Sequence, residues 1–174
     1  GGVGGKNAYA NWDKITVNVD ETSYVKAISE ENGKAYRTYV GGVVGFMTGD
    51  VINSGNYGTV KGSGTHIGGI VGSLSSGNIT DCTNEGFING FSWGAGGIVA
   101  YVGNQSSIIS GCVNKGNVQG GQGQVGGIVG KAIGTITECV NEGVVNGSVA
   151  GGIVGDGYAT TTVSNCDNYG SVNG

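Results

Sequence analysis

The stretch Gly126-Gly127-Ile128-Val129-Gly130, followed by Ile136, Cys139 and Asn141-Glu142-Gly143, is one copy of a pattern that the chain repeats. The Gly-Gly pairs that open the copies recur every 25–30 residues and begin at Gly41, Gly68, Gly96, Gly126 and Gly151. Self-similarity at a period of about 20–50 residues is typical of stacked arrays, in which each unit buries its apolar side against its neighbours. The repeat therefore predicts a solenoid.

Each copy contains three short aliphatic segments separated by Gly, Asn and Ser, and none of them shows a helical period. This spacing predicts an all-β chain that forms a parallel β-helix, or β-solenoid, with about five coils and three strands per coil. Coils of 25–30 residues favour the right-handed form. The predicted coils are residues 40–66, 67–94, 95–124, 125–149 and 150–174.

Residues 1–39 differ from the repeats and are predicted to form an N-terminal β cap, because terminal units of an array are usually atypical. Period-two alternation predicts a strand in Lys14–Asp20, and Ser23–Ile28 and Ala35–Val40 resemble two more. Asn32-Gly33 between them is a strong hairpin signal. A degenerate coil at Gly2-Val3-Gly4 is also compatible with the sequence.

The two aliphatic residues after each Gly-Gly pair pose a question of orientation. Adjacent residues of a strand point to opposite faces, so Ile128 and Val129 and their equivalents cannot both line one core in a straight strand. We favour a bend after the glycines that turns both residues inward. The alternative is an exposed aliphatic stripe, which would be a docking surface.

After the aliphatic residues, each repeat contributes to two further columns, one of Cys or Ser and one of Asn. The first is Cys82, Cys112, Cys139 and Cys166, with Ser54 at the equivalent position of the first coil. The absence of C-x-x-C and the exchange of Cys for Ser favour buried thiols that act as small hydrophobic side chains over a disulfide or a metal site. We expect no metal and no cofactor.

The second column is Asn56, Asn84, Asn114, Asn141 and Asn168, each followed two residues later by Gly. Asn tolerates tight turns, and amides repeated in register can hydrogen-bond from coil to coil as a ladder. We interpret the column as structural, although an amide row that binds sugar is an alternative.

Composition excludes several function classes. The net charge is −4 and the eight basic residues are scattered, so nucleic-acid binding is not expected. The apolar runs are far shorter than the roughly 20 residues of a membrane helix, so no membrane insertion is expected. His66 is the single histidine and cannot supply a paired-histidine zinc site.

The repeats resemble the GLUG motif of bacterial surface proteins. The resemblance rests on Gly68-Gly69-Ile70-Val71-Gly72 with Cys82, and on Gly126-Gly127-Ile128-Val129-Gly130 with Cys139, and it extends over roughly residues 40–174. It implies a secreted or cell-surface bacterial protein with an adhesive or spacer segment. The last repeat ends on a repeat column without a visible cap, so we expect further coils or another domain in the parent chain. GLUG motifs also occur in the non-catalytic part of bacterial IgA-cleaving metallopeptidases, which is an alternative context.

We expect this segment not to be an enzyme. Asp81 and Glu138 precede the Cys column two coils apart, a spacing compatible with an acid–base pair for glycan cleavage. No aromatic residue brackets them in the sequence, so we regard cleavage as the weaker alternative.

Aromatic residues outside the apolar columns are the candidate binding residues. They are Phe46, Phe91, Trp93, Tyr101 and Tyr158. Exposed rings can stack on sugars, and loops commonly carry binding residues, so a carbohydrate-binding module is an alternative function. Rings that merely cover the corners of the solenoid are the structural interpretation. The partners that we expect are glycans or proteins on host or bacterial surfaces.

Overall fold

The computed structural model describes residues 39–62, 66–91 and 93–174 with their side chains, and the backbone of six short strands between residues 4 and 35. Every regular element among these residues is a β-strand. The described part of the chain contains no helix with the length and apolarity to cross a membrane.

The strands before and within the first repeat are short. In chain order they are β1 (Gly4–Ala8), β2 (Trp12–Asp13), β3 (Thr16–Val17), β4 (Tyr24–Ala27), β5 (Glu30–Glu31), β6 (Lys34–Ala35), β7 (Tyr39–Gly41), β8 (Val44–Thr48), β9 (Val51–Ile52), β10 (Gly55–Asn56) and β11 (Thr59–Gly62).

The later repeats carry equivalent strands. They are β12 (His66–Gly68), β13 (Val71–Ser76), β14 (Ile79–Thr80), β15 (Thr83–Asn84), β16 (Ile88–Gly90), β17 (Gly94–Gly96), β18 (Val99–Ser110), β19 (Val113–Asn114), β20 (Val118–Gly120), β21 (Gln124–Gly126), β22 (Val129–Thr137), β23 (Val140–Asn141), β24 (Val145–Asn146), β25 (Val149–Gly151), β26 (Val154–Gly157), β27 (Thr162–Ser164), β28 (Asp167–Asn168) and β29 (Val172–Asn173).

Strands of successive repeats pair in parallel and in register. Val71 lies opposite Val99, and Asn84 lies opposite Asn114. The pairings build one ten-stranded, two six-stranded and one five-stranded sheet that run along the stack. The predicted parallel β-solenoid of about five coils is thereby confirmed, and its handedness stays a prediction.

The number of strands per coil differs from the three that the sequence predicts. The first repeat has five strands, β7 to β11, and β18 and β22 each merge two of them in later repeats. Two strands are additional: the segment before each Gly-Gly pair forms its own sheet, β7-β12-β17-β21-β25, and the segment that contains the Asn column forms another, β3-β10-β15-β19-β23-β28. The section of the coil therefore has an additional corner at the glycines.

The N-terminal strands continue the stack. β1, β2, β3 and β4 pair in parallel with β8, β9, β10 and β11, so their backbone follows the path of a further coil. β5 and β6 form an antiparallel pair on either side of the predicted Asn32-Gly33 turn, which itself lies outside the described residues. That this segment acts as a cap stays a prediction.

The Gly-Gly bend turns both aliphatic columns inward. Ile98, Val99, Ile128 and Val129 are all fully buried in one core. A Cβ on the first glycine of the pair would overlap the carbonyl three residues later, as Gly96 shows with Val99, so the chain can fold this tightly only at glycine. The exposed aliphatic stripe considered from the sequence is wrong.

A second corner precedes the Cys column. The residue before Ser54 or Cys has a left-handed backbone in every repeat, with φ of 49° to 61° at Asn53, Asp81, Gly111, Glu138 and Asn165. This conformation reverses the normal alternation of side chains, which explains how the aliphatic residue and the Cys three positions later both face inward. Asp81 and Glu138, the pair considered for glycan cleavage, therefore occupy a structural corner. The other repeats have Asn or Gly at this position and adopt the same backbone conformation.

The thiols stack inside this corner. Cys82, Cys112 and Cys139 are fully buried, Cys166 is half-buried, and all four are free. Each thiol donates to the carbonyl two residues earlier, as Cys139 Sγ does to Thr137 at 3.2 Å. Hydrogen bonds with the Cys139 and Cys82 thiols, together with burial, raise the pKa of Cys112. A neutral thiol of this kind packs as a small hydrophobic side chain.

The asparagine ladder, formed by Asn56, Asn84, Asn114, Asn141 and Asn168, joins the coils through their interior. Nδ2 of each of the first four donates to Oδ1 of the next asparagine, over 2.7–2.8 Å. The same Nδ2 donates to the carbonyl of the glycine two residues later at 2.8–3.0 Å, which holds the turn. The first four side chains of the ladder are completely buried.

The ladder also explains the second glycine of each pair. A Cβ on Gly69 would lie 2.5 Å from Cγ of Asn84, and Gly97 and Gly127 face Asn114 and Asn141 in the same way. The backbone of the bend therefore rests directly on the amides. This contact divides the interior into two apolar cores, and we call the constriction between them the waist. One core contains Val99 and the thiols, and the other is formed by the columns of Val118 and Val125.

We predict that Asn141→Ala destabilises the fold by about 1–3 kcal/mol, because it removes a buried rung and leaves the amide of Asn114 without its acceptor on the next coil. The melting temperature should fall by about 3–10 °C, measured by circular dichroism. Glu142→Ala is the matched control, since Glu142 is exposed. Equal melting of the two variants would contradict the ladder's contribution.

We also predict that Cys166, which is half-buried, reacts first with iodoacetamide in the folded 174-residue chain. Cys82, Cys112 and Cys139 are completely buried and should be alkylated only when the stack opens. Mass spectrometry of a time course would identify the labelled residue. Labelling of Cys112 at the rate of Cys166 would show that the core is not closed.

Candidate functional site: an aromatic groove along the stack

Because the chain folds inward at the Gly-Gly bend, the outer faces of the two strands that flank it meet at an angle. On one side the outward column contains Tyr39 and His66, which are paired in register. On the other side it contains Phe46, Ser73, Tyr101 and Lys131. The two columns enclose a cavity of about 730 Å³ that is open to solvent and follows the stack.

We call this cavity the aromatic groove. Its rings are Tyr39, Phe46, His66, Trp93, Tyr101 and Tyr158, and its polar lining includes Ser73, Ser75, Gln124 and Lys131.

The rings form a connected series across the bend. The Tyr39 ring lies 5.2 Å from Phe46 on the neighbouring strand of its own coil and stacks on His66 of the next coil, with centroids 5.6 Å apart and 5° between the planes. His66 in turn lies 5.0 Å from Tyr101 of the third coil. Aromatic pairs at these distances stabilise one another, so the wall of the groove is preorganised.

Lys131 and Tyr158 continue the groove toward the last repeat. Nζ of Lys131 lies 4.7 Å from the centre of the Tyr158 ring and 2.9 Å from a carboxylate oxygen of Asp156. The hydrogen bond to Asp156 raises the pKa of Lys131, so the ammonium stays charged and paired at neutral pH. The two charges of this pair compensate each other.

Trp93 lies at the edge of the groove, and a hydrogen bond from the next repeat fixes its backbone. Its side chain is 68% exposed, whereas its carbonyl accepts a hydrogen bond from the backbone N–H of Gln124 at 3.0 Å. A ring that is exposed and has a fixed attachment is available to a partner.

Four of the five aromatic residues proposed from the sequence lie together. Phe46, Trp93, Tyr101 and Tyr158 line the groove. Phe91 is also exposed, but it does not line the groove. It follows β16, which belongs to the sheet of β11 and β20 and not to either of the two sheets that flank the Gly-Gly bend.

Sequence reasoning missed Tyr39 and His66. The sequence predicts Tyr39 as part of the cap strand Ala35–Val40 and distinguishes His66 only as the single histidine, whereas the structure places them in β7 and β12, in the same column. The available signal was their common position two residues before a Gly-Gly pair, where a period-two strand points outward if the next residue faces the core.

The groove does not present a constellation for metal chemistry. In the part of the chain that the structure describes, no three His, Cys, Asp or Glu side chains are grouped as metal ligands would be. The groove presents ring faces, hydroxyl and amide groups and the Lys131–Asp156 ion pair.

Comparison with known proteins agrees with the repeat pattern. Residues 63–89 match the family model described as the GLUG motif. This range covers the Gly68-Gly69 bend, the Cys82 corner and the Asn84 rung of the second repeat, so the resemblance predicted from the sequence is confirmed there. No curated protein and no solved structure matches the chain significantly.

We predict that Trp93→Ala and Tyr158→Ala leave the melting temperature within about 2 °C of the unchanged protein, because both side chains are exposed and the contact of Tyr158 with Lys131 lies at the surface. Circular dichroism melting checks this. A fall as large as that expected for Asn141→Ala would mean that the rings serve the fold.

Proposed function

We propose that this chain is a non-catalytic structural repeat segment of a secreted or cell-surface bacterial protein, in which the coil stack is a rigid arm and the aromatic groove is its adhesive surface. The GLUG motif and the β-solenoid support the structural part of the proposal. The groove, preorganised on the outside of the stack, is the observation that carries the adhesive part.

Rigidity follows from how the repeats are joined. Successive coils share backbone hydrogen bonds in four parallel sheets, and the buried asparagine ladder adds a side-chain bond at every step. Buried amides in a low-dielectric interior are costly to separate, so bending that opens one side of the stack is opposed. Such a stack can carry a binding surface at a defined distance and orientation.

The side chains that line the adhesive surface are different from those that hold the fold together. The inward columns supply the cores and the ladder, while the groove rings point outward from the same strands. Alternation within a strand makes this division possible, since neighbouring residues serve opposite faces. The groove can therefore vary in ligand preference while the stack remains unchanged.

We predict that beads coated with the chain adhere to bacterial or epithelial cells through the groove. Trp93→Ala combined with Tyr101→Ala should reduce the number of attached beads by about tenfold, since a few aromatic contacts supply most of the energy of a small interface. Bead counts by microscopy give the measurement.

Phe91→Ala combined with Tyr169→Ala is the matched control for this experiment. Both side chains are exposed aromatic residues outside the groove lining, so attachment should be unchanged. Equal loss in both double variants would indicate nonspecific stickiness, and no attachment of the unchanged chain to either cell type would contradict the adhesive part of the proposal.

A further inference from the structure

We infer that the aromatic groove binds an uncharged, extended saccharide chain that lies along the axis of the stack. The inference deepens the proposed adhesive function and rests on it. It is carried by the juxtaposition of a ring series that crosses several coils, hydroxyl and amide groups between the rings, and one self-compensated ion pair.

The length of the ring series favours a polymer over a single small molecule. Tyr39 belongs to the first repeat, His66 to the second, Tyr101 to the third and Tyr158 to the fifth. At the usual strand spacing of about 4.8 Å, the four steps from the first to the fifth repeat extend over about 19 Å. A ligand that contacts all of these rings must itself be long, narrow and parallel to the axis.

The alternation of ring and polar group favours a saccharide. A ring face carries partial negative charge and accepts the weakly positive C–H groups of an apolar face. Ser75, which is exposed, and Gln124 line the same groove and can exchange hydrogen bonds with ligand hydroxyls. A sugar chain offers both surfaces in each unit, whereas a lipid tail would leave these polar groups without partners.

The charges favour an uncharged chain. Lys131 is paired with Asp156 at 2.9 Å and lies over the Tyr158 ring, so it has no excess charge to offer a carboxylate or sulfate. The chain as a whole carries a net charge of −4, which repels anionic polymers at low ionic strength. An acidic polysaccharide would therefore have to break an existing ion pair.

The test is isothermal titration of the intact chain with defined oligosaccharides. The probes are uncharged gluco-, xylo-, manno- and chito-oligosaccharides of increasing length, with oligogalacturonate as the acidic counterpart. We expect at least one uncharged series to bind, with affinity that rises with chain length and exceeds that of oligogalacturonate by at least about tenfold. That preference is about 1.4 kcal/mol.

Variants assign the binding to the groove. Trp93→Ala and Tyr101→Ala should each weaken binding by about tenfold or more, and Trp93→Tyr should retain most of the affinity because it keeps a ring face. Phe91→Ala and Tyr169→Ala should bind as the unchanged chain does. Circular dichroism confirms that each variant is folded.

Three results would overturn the inference: no binding of any uncharged series, preference for the acidic series, or full affinity in a folded Trp93→Ala, Tyr101→Ala variant.

A proline-rich peptide is the competing occupant, because extended peptides also dock on aromatic grooves. If beads still adhere through the groove and a polyproline peptide displaces them while no sugar binds, this inference fails and the adhesive proposal stands. If adhesion and sugar binding are both absent, both fail.

Discussion

The hydrogen-bonded asparagine ladder is the interaction on which the rest of the structure depends. Asn84 donates to Asn114 and to the carbonyl of Gly86 and accepts from Asn56, all in a completely buried position. Because a buried amide without partners costs about 1–3 kcal/mol, any slip of one coil against the next is penalised at every rung. The apolar columns supply most of the driving force for stacking, but they tolerate small displacements that the amides do not.

The outer shape follows from the same contact. The second glycine of each pair approaches the amides so closely that a Cβ would collide with them, as at Gly69 and Asn84. The chain is thus drawn in toward the centre, the interior divides into two cores, and the exterior becomes concave between the two flanking strands. The groove is the outer side of the waist, so the element that holds the coils together also creates the surface that we propose to be functional.

Much of the fold could be predicted because the repeat gives each position several independent copies. The exchange of Cys for Ser54 indicated that the column is selected for small size and not for sulfur chemistry, and the equivalent position is buried in both cases. The groove was only partly predictable. Tyr39 and His66 belong to an outward column in which the later repeats have Gly94, Gln124 and Val149, so no repeated residue type marked the site.

The sequence by itself determined which residues lie above one another, because a period of 25–30 residues with constant glycines permits one stacking register. It did not determine which columns face inward at the bend, since that depends on backbone angles at glycine, which allows more conformations than other residues. Only the tertiary structure showed that Ile128 and Val129 both enter the core. It also decided that rings from different repeats, Tyr39, His66 and Tyr101, meet on the outside, because their proximity is set by the angle between two sheets.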